Sequence, residues 1–337
     1  MDNKKLLLIL LGLCGLLFAV LLLNEDKNHY VTDDADQIFL PELKQRLTEV
    51  AKIQIDSLGE SVVLESQNNS WVVASKQNYP ADTNSIRQLI YGMADLTIVE
   101  VKTADESLLS KIGLTQDSDD SVRVRIMDVD GNTISDILFG KSQPALSSQG
   151  QDWFVRQFDD AQSWLLNGQL LLNRNAYQWL SKAILSMDTD DIQEVVLNTN
   201  HIDSLVIRKT DESQAFELVG EKDSEEIEAY KLDEIVEAAS SIQLDDVRLK
   251  SADQNNSSEA TIQLKTKNGL NVEITVTDTE QGWINLIAQT EMTDQGVTEQ
   301  SQALNKNWSE WEFQIPKYKL DTLLQKKQDL ISKNQSS

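Results

Sequence analysis

The chain has 337 residues, which is enough for two ordinary domains, and its 55 acidic and 30 basic side chains give a net charge of −25. A surface this acidic repels phosphate backbones, so we expect no nucleic-acid partner. The charge serves either solubility or the docking of a basic partner. Glycine and proline are sparse and the only cysteine is Cys14, which excludes a large disordered region and a disulfide framework.

An unbroken apolar run extends from Leu6 to Leu23, directly after the cationic pair Lys4 and Lys5. Its 18 residues form a helix of roughly 27 Å, which just spans the hydrocarbon core of a bilayer. Because lysines precede the run and acidic residues follow it, the positive-inside bias places the N-terminus in the cytoplasm. We therefore predict an uncleaved signal anchor that crosses the inner membrane once and leaves the body of the protein exported, on the periplasmic side.

Two other interpretations of this run are weaker alternatives. A cleaved signal peptide needs small residues before its cleavage site, and only Ala19 is small near the end of the run. A lipid anchor needs a small residue directly before its cysteine, but Leu13 precedes Cys14. On the anchor interpretation, residues 1–24 form the cytoplasmic tip and transmembrane helix, and residues 25–38 form a stalk.

The first of two predicted β-rich repeats covers residues 39–187. Short runs of alternating or β-branched residues predict an antiparallel meander of three strands, at residues 51–55, 61–65 and 71–73. Pro80 then leads into a helix with Asp82 or Thr83 as its N-cap. After the helix come a hairpin with an Asp130-Gly131 turn, a tryptophan strand and a helical segment, at residues 121–138, 152–156 and 171–185.

The second predicted repeat covers residues 188–337 and has the same order of elements. Its three strands, helix, hairpin, tryptophan strand and closing helix lie at residues 194–197, 204–208, 215–218, 232–239, 260–276, 282–286 and 317–331. Polar stretches predict loops at residues 117–120, 143–149 and 290–301. The sequence thus predicts an α+β protein, with an N-terminal transmembrane helix followed by two similar β-rich repeats, each an antiparallel sheet with one or two packed helices. Two like domains and one continuous sheet fit this pattern equally well.

The usual signatures of catalysis and cofactor binding do not occur in the sequence. The only histidines are His29 and His201, and neither has the spacing of a zinc site or a catalytic triad. No G-x-G or P-loop pattern is present. The segment from Asp128 resembles the start of a calcium loop, but its twelfth position is Phe139 rather than glutamate. We therefore expect no cofactor, no bound metal and no enzymatic activity.

Trp308 and Trp311 stand out because polar residues crowd around them. Trp71, Trp153 and Trp283, by contrast, lie in strand patterns and are expected in the core. Trp308 and Trp311 either cap the second sheet or form an exposed contact. They are the candidate interaction surface that the sequence offers.

The segment that follows the predicted anchor resembles a known family. Phe39-Leu-Pro-Glu-Leu43, then Trp71 on a strand, then Tyr79-Pro-Ala-Asp82 at a helix entry, is similar to the pattern of the DUF4340 family. The resemblance covers roughly residues 1–250, and it is weaker in the second repeat, where Glu228-Ala-Tyr-Lys231 stands at the corresponding place. It implies a membrane-tethered bacterial protein with a duplicated, β-rich exported region. It supplies no catalytic residue.

The resemblance also leads to the first hypothesis of function. Members of the family are similar to accessory proteins encoded beside ABC-type export permeases, which implies a non-enzymatic scaffold subunit of such a transporter. Its partners are then the inner membrane, through residues 6–23, and a membrane permease. The alternative is a periplasmic ligand-binding module that holds a peptide, glycan or lipid in a groove between the two repeats. A hydrolase built from dispersed carboxylates is a third and weaker hypothesis.

Overall fold

The structure, a computed structural model, describes residues 37–145, 150–199, 202–210, 215–220, 227–251, 258–290 and 294–331. Within these ranges the chain forms two compact units. Unit 1 comprises the described parts of Met1–Glu60 and Arg87–Leu172, and unit 2 comprises those of Ser61–Ile86 and Asn173–Ser337. The predicted boundary between residues 187 and 188 lies inside unit 2, and the division into repeats at that point stays a prediction.

The helices of the described ranges are short. They are α1 Pro41–Gln45, α2 Thr83–Ala94, α3 Glu106–Leu109, α4 Ala229–Ser240, α5 Gln295–Trp308, α6 Lys317–Leu323 and α7 Lys327–Leu330. α2 begins after Asp82, whose carboxylate accepts a hydrogen bond from the Asn84 backbone N–H at 2.9 Å, as a cap should. None of the helices in the described part of the chain has the length and apolar character needed to span a membrane. The predicted anchor and residues 25–36 of the predicted stalk lie outside that part.

Strands make up most of the body. The first ten are β1 Lys52–Ser57, β2 Glu60–Gln67, β3 Ser70–Val73, β4 Tyr79–Pro80, β5 Thr97–Val101, β6 Val122–Met127, β7 Thr133–Pro144, β8 Gln151–Gln157, β9 Ser163–Gly168 and β10 Ala183–Ser186. The others are β11 Ile192–Thr199, β12 Ile202–Lys209, β13 Phe216–Leu218, β14 Ser241–Gln243, β15 Asp246–Leu249, β16 Ala260–Thr266, β17 Leu270–Asp278, β18 Trp283–Thr290 and β19 Trp311–Gln314. The α+β class with antiparallel sheets is therefore confirmed.

Unit 1 is built on six antiparallel strands in the order β1-β6-β7-β8-β9-β5. Buried and half-buried residues alternate along β6, as the period of two in a strand requires. Val124 and Ile126 are therefore fully buried on one face, while Arg123 and Arg125 lie on the other. This second face carries the charged residues of the candidate site.

Unit 2 contains a sheet in which six antiparallel strands follow the order β11-β16-β17-β18-β19-β15, with β12 and β13 beyond β11. Helix α5 packs on β18, and α4 contacts both α6 and β13. The β2-β3-β4 meander belongs to the same unit from Ser61 onward, as does a two-stranded sheet of β10 and β14. Asn68 and Asn69 join β2 to β3 with φ angles of 49° and 68°, which fits a type I′ turn.

The six-stranded orders of the two units correspond strand by strand. In each order the first strand, β1 or β11, pairs with a hairpin, and the hairpin continues into the tryptophan strand, β8 or β18. The last strand in each order, β5 or β15, comes after the long helix in sequence and lies at the edge of the sheet. The predicted order of three strands, helix, hairpin and tryptophan strand is thus present twice, whereas the predicted closing helix is present only in the second case. The connections differ, because α5 lies between β18 and β19, whereas only residues 158–162 join β8 to β9.

Two predicted elements are wrong. Residues 171–185 were expected to be helical, but they contain only the 3-10 helix Ala176–Trp179 before β10 begins. Backbone hydrogen bonds from Asp82 N–H to the Trp179 carbonyl (2.8 Å) and from Ser181 N–H to the Pro80 carbonyl (2.9 Å) hold this segment extended. The predicted loop at residues 290–301 contains the start of α5, which Asp294 caps by accepting a hydrogen bond from Val297 N–H.

Candidate functional site

Unit 1 contains a recess of about 610 Å³ between α1, β7 and the turn after β8. Its lining comes from residues 39–43, 133–137 and 157–160. Apolar side chains form most of one wall, including those of Phe39, Leu40, Leu43, Ile134 and Phe158. The carboxylates in the lining are those of Glu42, Asp136, Asp159 and Asp160. The volume lies within the range of about 300–1,000 Å³ that small-molecule pockets occupy.

The apolar wall is fixed by contacts at the start of α1. The Phe39 N–H donates to the Leu96 carbonyl at 2.9 Å, and the Phe39 ring packs on Trp164 with ring centroids 5.1 Å apart. Pro41 occupies the first turn of the helix, where its missing N–H costs nothing. Leu43 is buried beneath the helix. The wall is therefore preformed rather than assembled by a ligand.

Arg46 fastens the end of α1 to the β6-β7 turn. Its guanidinium donates to Glu49 (2.8 Å), to Glu42 (3.0 Å) and to Asp128 (3.1 Å). Asp128 in turn accepts the Asn132 backbone N–H at 2.8 Å. Burial disfavours the charged form of Asp128, but hydrogen bonds, chiefly from Asn132, outweigh it and lower the pKa of this carboxyl. The segment that resembled a calcium loop is thus a hairpin turn, and Arg46 binds its first residue, Asp128.

Asp136 lies on the charged face of the sheet and receives two arginines. Arg123 donates to both of its carboxylate oxygens, at 2.8 and 2.6 Å, and Arg125 donates to one of them at 3.1 Å. Hydrogen bonding to Asp136 raises the pKa of Arg123 above its ordinary value. The same guanidinium stacks on the Phe158 ring, with its central carbon 3.2 Å from the ring centroid. These contacts fix Phe158 at the edge of the recess.

Arg156 holds the turn after β8 in place. This turn carries Asp159 and Asp160 at the edge of the recess, and we call these two residues the acidic rim. Its guanidinium donates to the carbonyls of Leu114 (3.1 Å), Phe158 and Asp160 (3.0 Å). Arg156 is half-buried, and this burial lowers the pKa of its guanidinium. The exposed carboxylates of Asp159 and Asp160 make no ion pair with any residue in the described part of the chain. Arg123 and Arg156 offset part of the Asp159 charge, Arg156 offsets part of the Asp160 charge, and the Asp160 carboxylate accepts the Gln162 N–H at 3.0 Å. The rim therefore presents two exposed carboxylates without an ion pair.

The chemistry of the recess favours binding. Both oxygens of Asp136 are occupied by arginines, and Glu42 is paired with Arg46. Within the described ranges, the Ser135 hydroxyl in the recess wall is buried without a hydrogen-bond partner. A preformed apolar wall beside two exposed carboxylates without an ion pair suits a ligand with a cationic group.

The structure contradicts the predicted interaction surface at Trp308 and Trp311. Trp308 is only 2% exposed, and its indole N–H donates to the Ile184 carbonyl at 3.1 Å. Trp311 is 9% exposed and meets the Tyr79 ring edge-on, with ring centroids 5.1 Å apart. Both indoles are packed in unit 2, because α5 and β19 turn them inward, which fits the first of the two alternatives, packing on the second sheet, and not an exposed contact.

Other predicted residues lie where the structure gives no description. Lys4, Lys5, Leu6 and Leu23 of the predicted anchor lie outside the described residues, and so do His29 and His201. In the residues that are described, no group of three or more histidine, cysteine, aspartate or glutamate side chains is placed to hold a metal ion.

Sequence reasoning missed the residues that build the recess. Arg123 and Arg125 alternate with valines on a strand of an acidic chain, and this local signal could have indicated a charged sheet face. Arg46 offered no such signal, because its partner Asp128 is 82 positions away.

The fold and the recess define an α+β protein of antiparallel sheets with a preformed cavity. A family model described as "Domain of unknown function (DUF4340)" matches residues 71–267, more than half of the chain. The chain therefore belongs to the DUF4340 family, which confirms the predicted resemblance. Comparisons with curated proteins and with solved structures find no match. The matched range begins at Trp71, so residues 39–43 of the recess lie outside it.

Proposed function

We propose that this chain is a non-enzymatic accessory protein of an ABC-type transporter, held at the inner membrane by residues 6–23 with its body on the periplasmic side. The observation that carries the proposal is the recess of unit 1. Its arginines are bound to carboxylates and carbonyls, while the carboxylates of Asp159 and Asp160 are exposed and can meet a cationic group of a partner. Such a surface binds another molecule without altering it.

The position of the recess in the chain favours a membrane partner. Its wall begins at Phe39, and residues 24–38 separate it from the predicted anchor. Fully extended at about 3.4 Å per residue, this segment spans at most about 50 Å. The recess is thereby confined to the space that the periplasmic loops of a permease occupy. The charge of the rim selects a loop with lysine or arginine.

Affinity purification of the full chain from gently solubilised membranes tests this proposal. The wild-type chain is expected to recover a permease. Asp159→Lys combined with Asp160→Lys reverses the rim charge and is expected to lose that permease. Asp117→Lys combined with Asp130→Lys is the matched control, because these two aspartates are exposed in unit 1 and do not line the recess. Recovery of the wild-type chain alone, or equal recovery by both variants, would contradict the proposal.

A ligand-binding module is the second candidate, because the size of the recess suits a small organic cation. The groove between the repeats that the sequence suggested for this role stays a prediction. A thermal-shift screen separates the candidates, since a bound cation must raise the melting temperature of the wild type more than that of the charge-reversed variant.

A further inference from the structure

Unit 2 contains a second cavity, of about 580 Å³, with a different chemistry. Its lining includes Lys182, from the segment before β10, and Lys319 of α6. Between them lie polar and aromatic side chains, among them Ser241, Gln243 and Tyr318. Two ammonium groups facing one cavity are unexpected in a chain with a net charge of −25.

Two other lysines of unit 2 pair with carboxylates. Lys76 bonds Asp246 at 2.7 Å, and Lys317 pairs with Asp321. By contrast, neither Lys182 nor Lys319 has a carboxylate within ion-pair distance among the residues that the structure describes. The cavity is therefore lined by two lysines without an ion-pair partner, whose charge Asp245 offsets only in part.

Lys182 is held in an environment that penalises its charge. Its ammonium reaches the Asp245 carbonyl at 3.5 Å, which is long for a hydrogen bond, and lies 5.4 Å from the Tyr177 ring centroid. The side chain is half-buried, and burial lowers its pKa although Asp245 and Asp246 act in the opposite direction. An anion in the cavity would supply the missing counter-charge.

We propose that this cavity binds a small organic anion, whose single phosphate or carboxylate group pairs with the ammonium groups of Lys182 and Lys319. The organic part has surfaces to rest on, because Tyr318 is 71% exposed and Leu244 and Pro316 complete the lining. The Ser241 hydroxyl and the Gln243 amide offer hydrogen bonds to its polar groups.

The charge of the lining limits the ligand further. Asp245 also lines the cavity, so the two lysines leave one net positive charge. That balance favours one anionic group and disfavours a ligand with several separated charges. This site is distinct from the acidic recess of unit 1 and does not depend on the function proposed for it.

Isothermal titration calorimetry on the full chain in detergent micelles provides the test. Phenyl phosphate and benzoate are the probes, and benzylamine is the control of opposite charge. At least one of the two anions is expected to bind at a single site, with affinity that falls as salt rises, while benzylamine does not bind there. The stronger of the two anions identifies the group that the cavity selects. Absence of binding by both anions would overturn the proposal.

Substitutions locate the site. Lys182→Met and Lys319→Met are each expected to weaken the bound anion at least about tenfold, because each removes a charge-assisted hydrogen bond. Lys317→Met is the matched control, since Lys317 is adjacent in sequence but points to Asp321 and does not line the cavity. Unchanged affinity in both cavity variants, or an equal loss in the control, would overturn the proposal.

Thermal melting adds a readout that a purely structural lysine would not give. Lys182→Met is expected to melt at a higher temperature than the wild type without ligand, because a half-buried unpaired charge is gone. It is also expected to lose the upward shift that the anion gives to the wild type. If Lys182→Met does not fold, Lys319→Met decides the question, since Lys319 lies on a different element, α6. Retention of the full anion shift by Lys319→Met would then refute the site.

Discussion

Removing the guanidinium of Arg248 is expected to destabilise unit 2 strongly, because a buried carboxylate then loses its ion-pair partner. Glu312 on β19 is 0% exposed, and Arg248 lies directly opposite on β15, with its Nε 2.6 Å from the Glu312 carboxylate. The Thr277 hydroxyl also donates to Glu312. Arg248 stacks on Trp283, with its central carbon 3.9 Å from the ring centroid. Arg248 is therefore the ion-pair partner of this buried carboxylate, and Lys250 adds a favourable charge interaction.

The expected cost can be worked out from these contacts. Breaking a buried ion pair by removing one partner costs about 3–5 kcal/mol, so Arg248→Met should lower the free energy of unfolding by that amount. Replacing both residues, by Arg248→Met with Glu312→Leu, should recover most of the loss, because no charge is then left in the interior. The Thr277 hydroxyl keeps an acceptor in that variant, the Trp283 carbonyl at 3.1 Å.

Urea denaturation of the full chain in detergent, followed by tryptophan fluorescence, measures these values as a double-mutant cycle. Arg208→Met is the matched control, because its partner Glu194 keeps a second cation, Lys265, at 3.0 Å. The control should cost only about 1 kcal/mol. A loss below about 1 kcal/mol for Arg248→Met, or a double variant no more stable than Arg248→Met alone, would refute the reasoning.

The remaining predictions concern packing, a turn and acid stability. Trp308→Ala should lower the free energy of unfolding by about 3–5 kcal/mol in urea, since it empties a buried site; a loss under about 1 kcal/mol would contradict the observed burial. Asn69→Val should cost about 1–2 kcal/mol at a φ of 68° while Asn69→Gly should not, as thermal melting will show; equal effects would argue against the turn geometry. Burial opposes the ionisation of Glu194, but hydrogen bonds from Arg208 and Lys265 prevail and lower its pKa below the ordinary 4.5. Its stabilisation is therefore present above about pH 4.5 and is lost as the pH falls through the lower folded value, so the acid side of a pH–stability curve should be flatter for Glu194→Gln than for the wild type.

The strands and hairpins could be predicted because their signals are local. Asp130-Gly131 and Asn268-Gly269 mark turns in which the glycines adopt φ angles of 83° and 85°, conformations that other residues rarely take. Along β6 and β16, buried residues alternate with less buried ones, and the sequence shows the same alternation of apolar and polar residues. When a helix or strand buries only one face, its apolar residues recur with the period of that element, and this period can be read from the sequence.

The errors arose where distant contacts decide the structure. The polar residues around Trp308 face solvent along α5, so the composition hides a helix that buries Val297, Ser301 and Trp308. Both faces of β19 are covered. Trp311 and Phe313 are buried on one face, and Glu312 is buried on the other, where it pairs with Arg248. The strand therefore lacks the alternation that would have identified it.

The recess was unpredictable for the same reason. It requires α1, β7 and the turn after β8 to meet, and its fixing contacts join residues that are far apart in sequence, such as Arg46 and Asp128. Arg123 and Asp136 are only 13 positions apart in sequence, and the hairpin of β6 and β7 brings them together. Only that part of the site lies within reach of sequence reasoning.

The way the chain is shared between the units bears on how the protein folds as it is made. Ser61–Ile86 emerges early but belongs to unit 2, whose other residues follow only from Asn173 onward. Unit 1 has all of its strands once Leu172 is available, whereas unit 2 waits for β19 near the end of the chain. During that interval the β2-β3-β4 meander lacks the rings of Trp311 and Phe313, which pack against Tyr79, and the apolar surface left uncovered is a hazard for aggregation. No single cut separates the units, so any shortened version that ends between Leu172 and β19 leaves unit 2 incomplete while unit 1 keeps every strand.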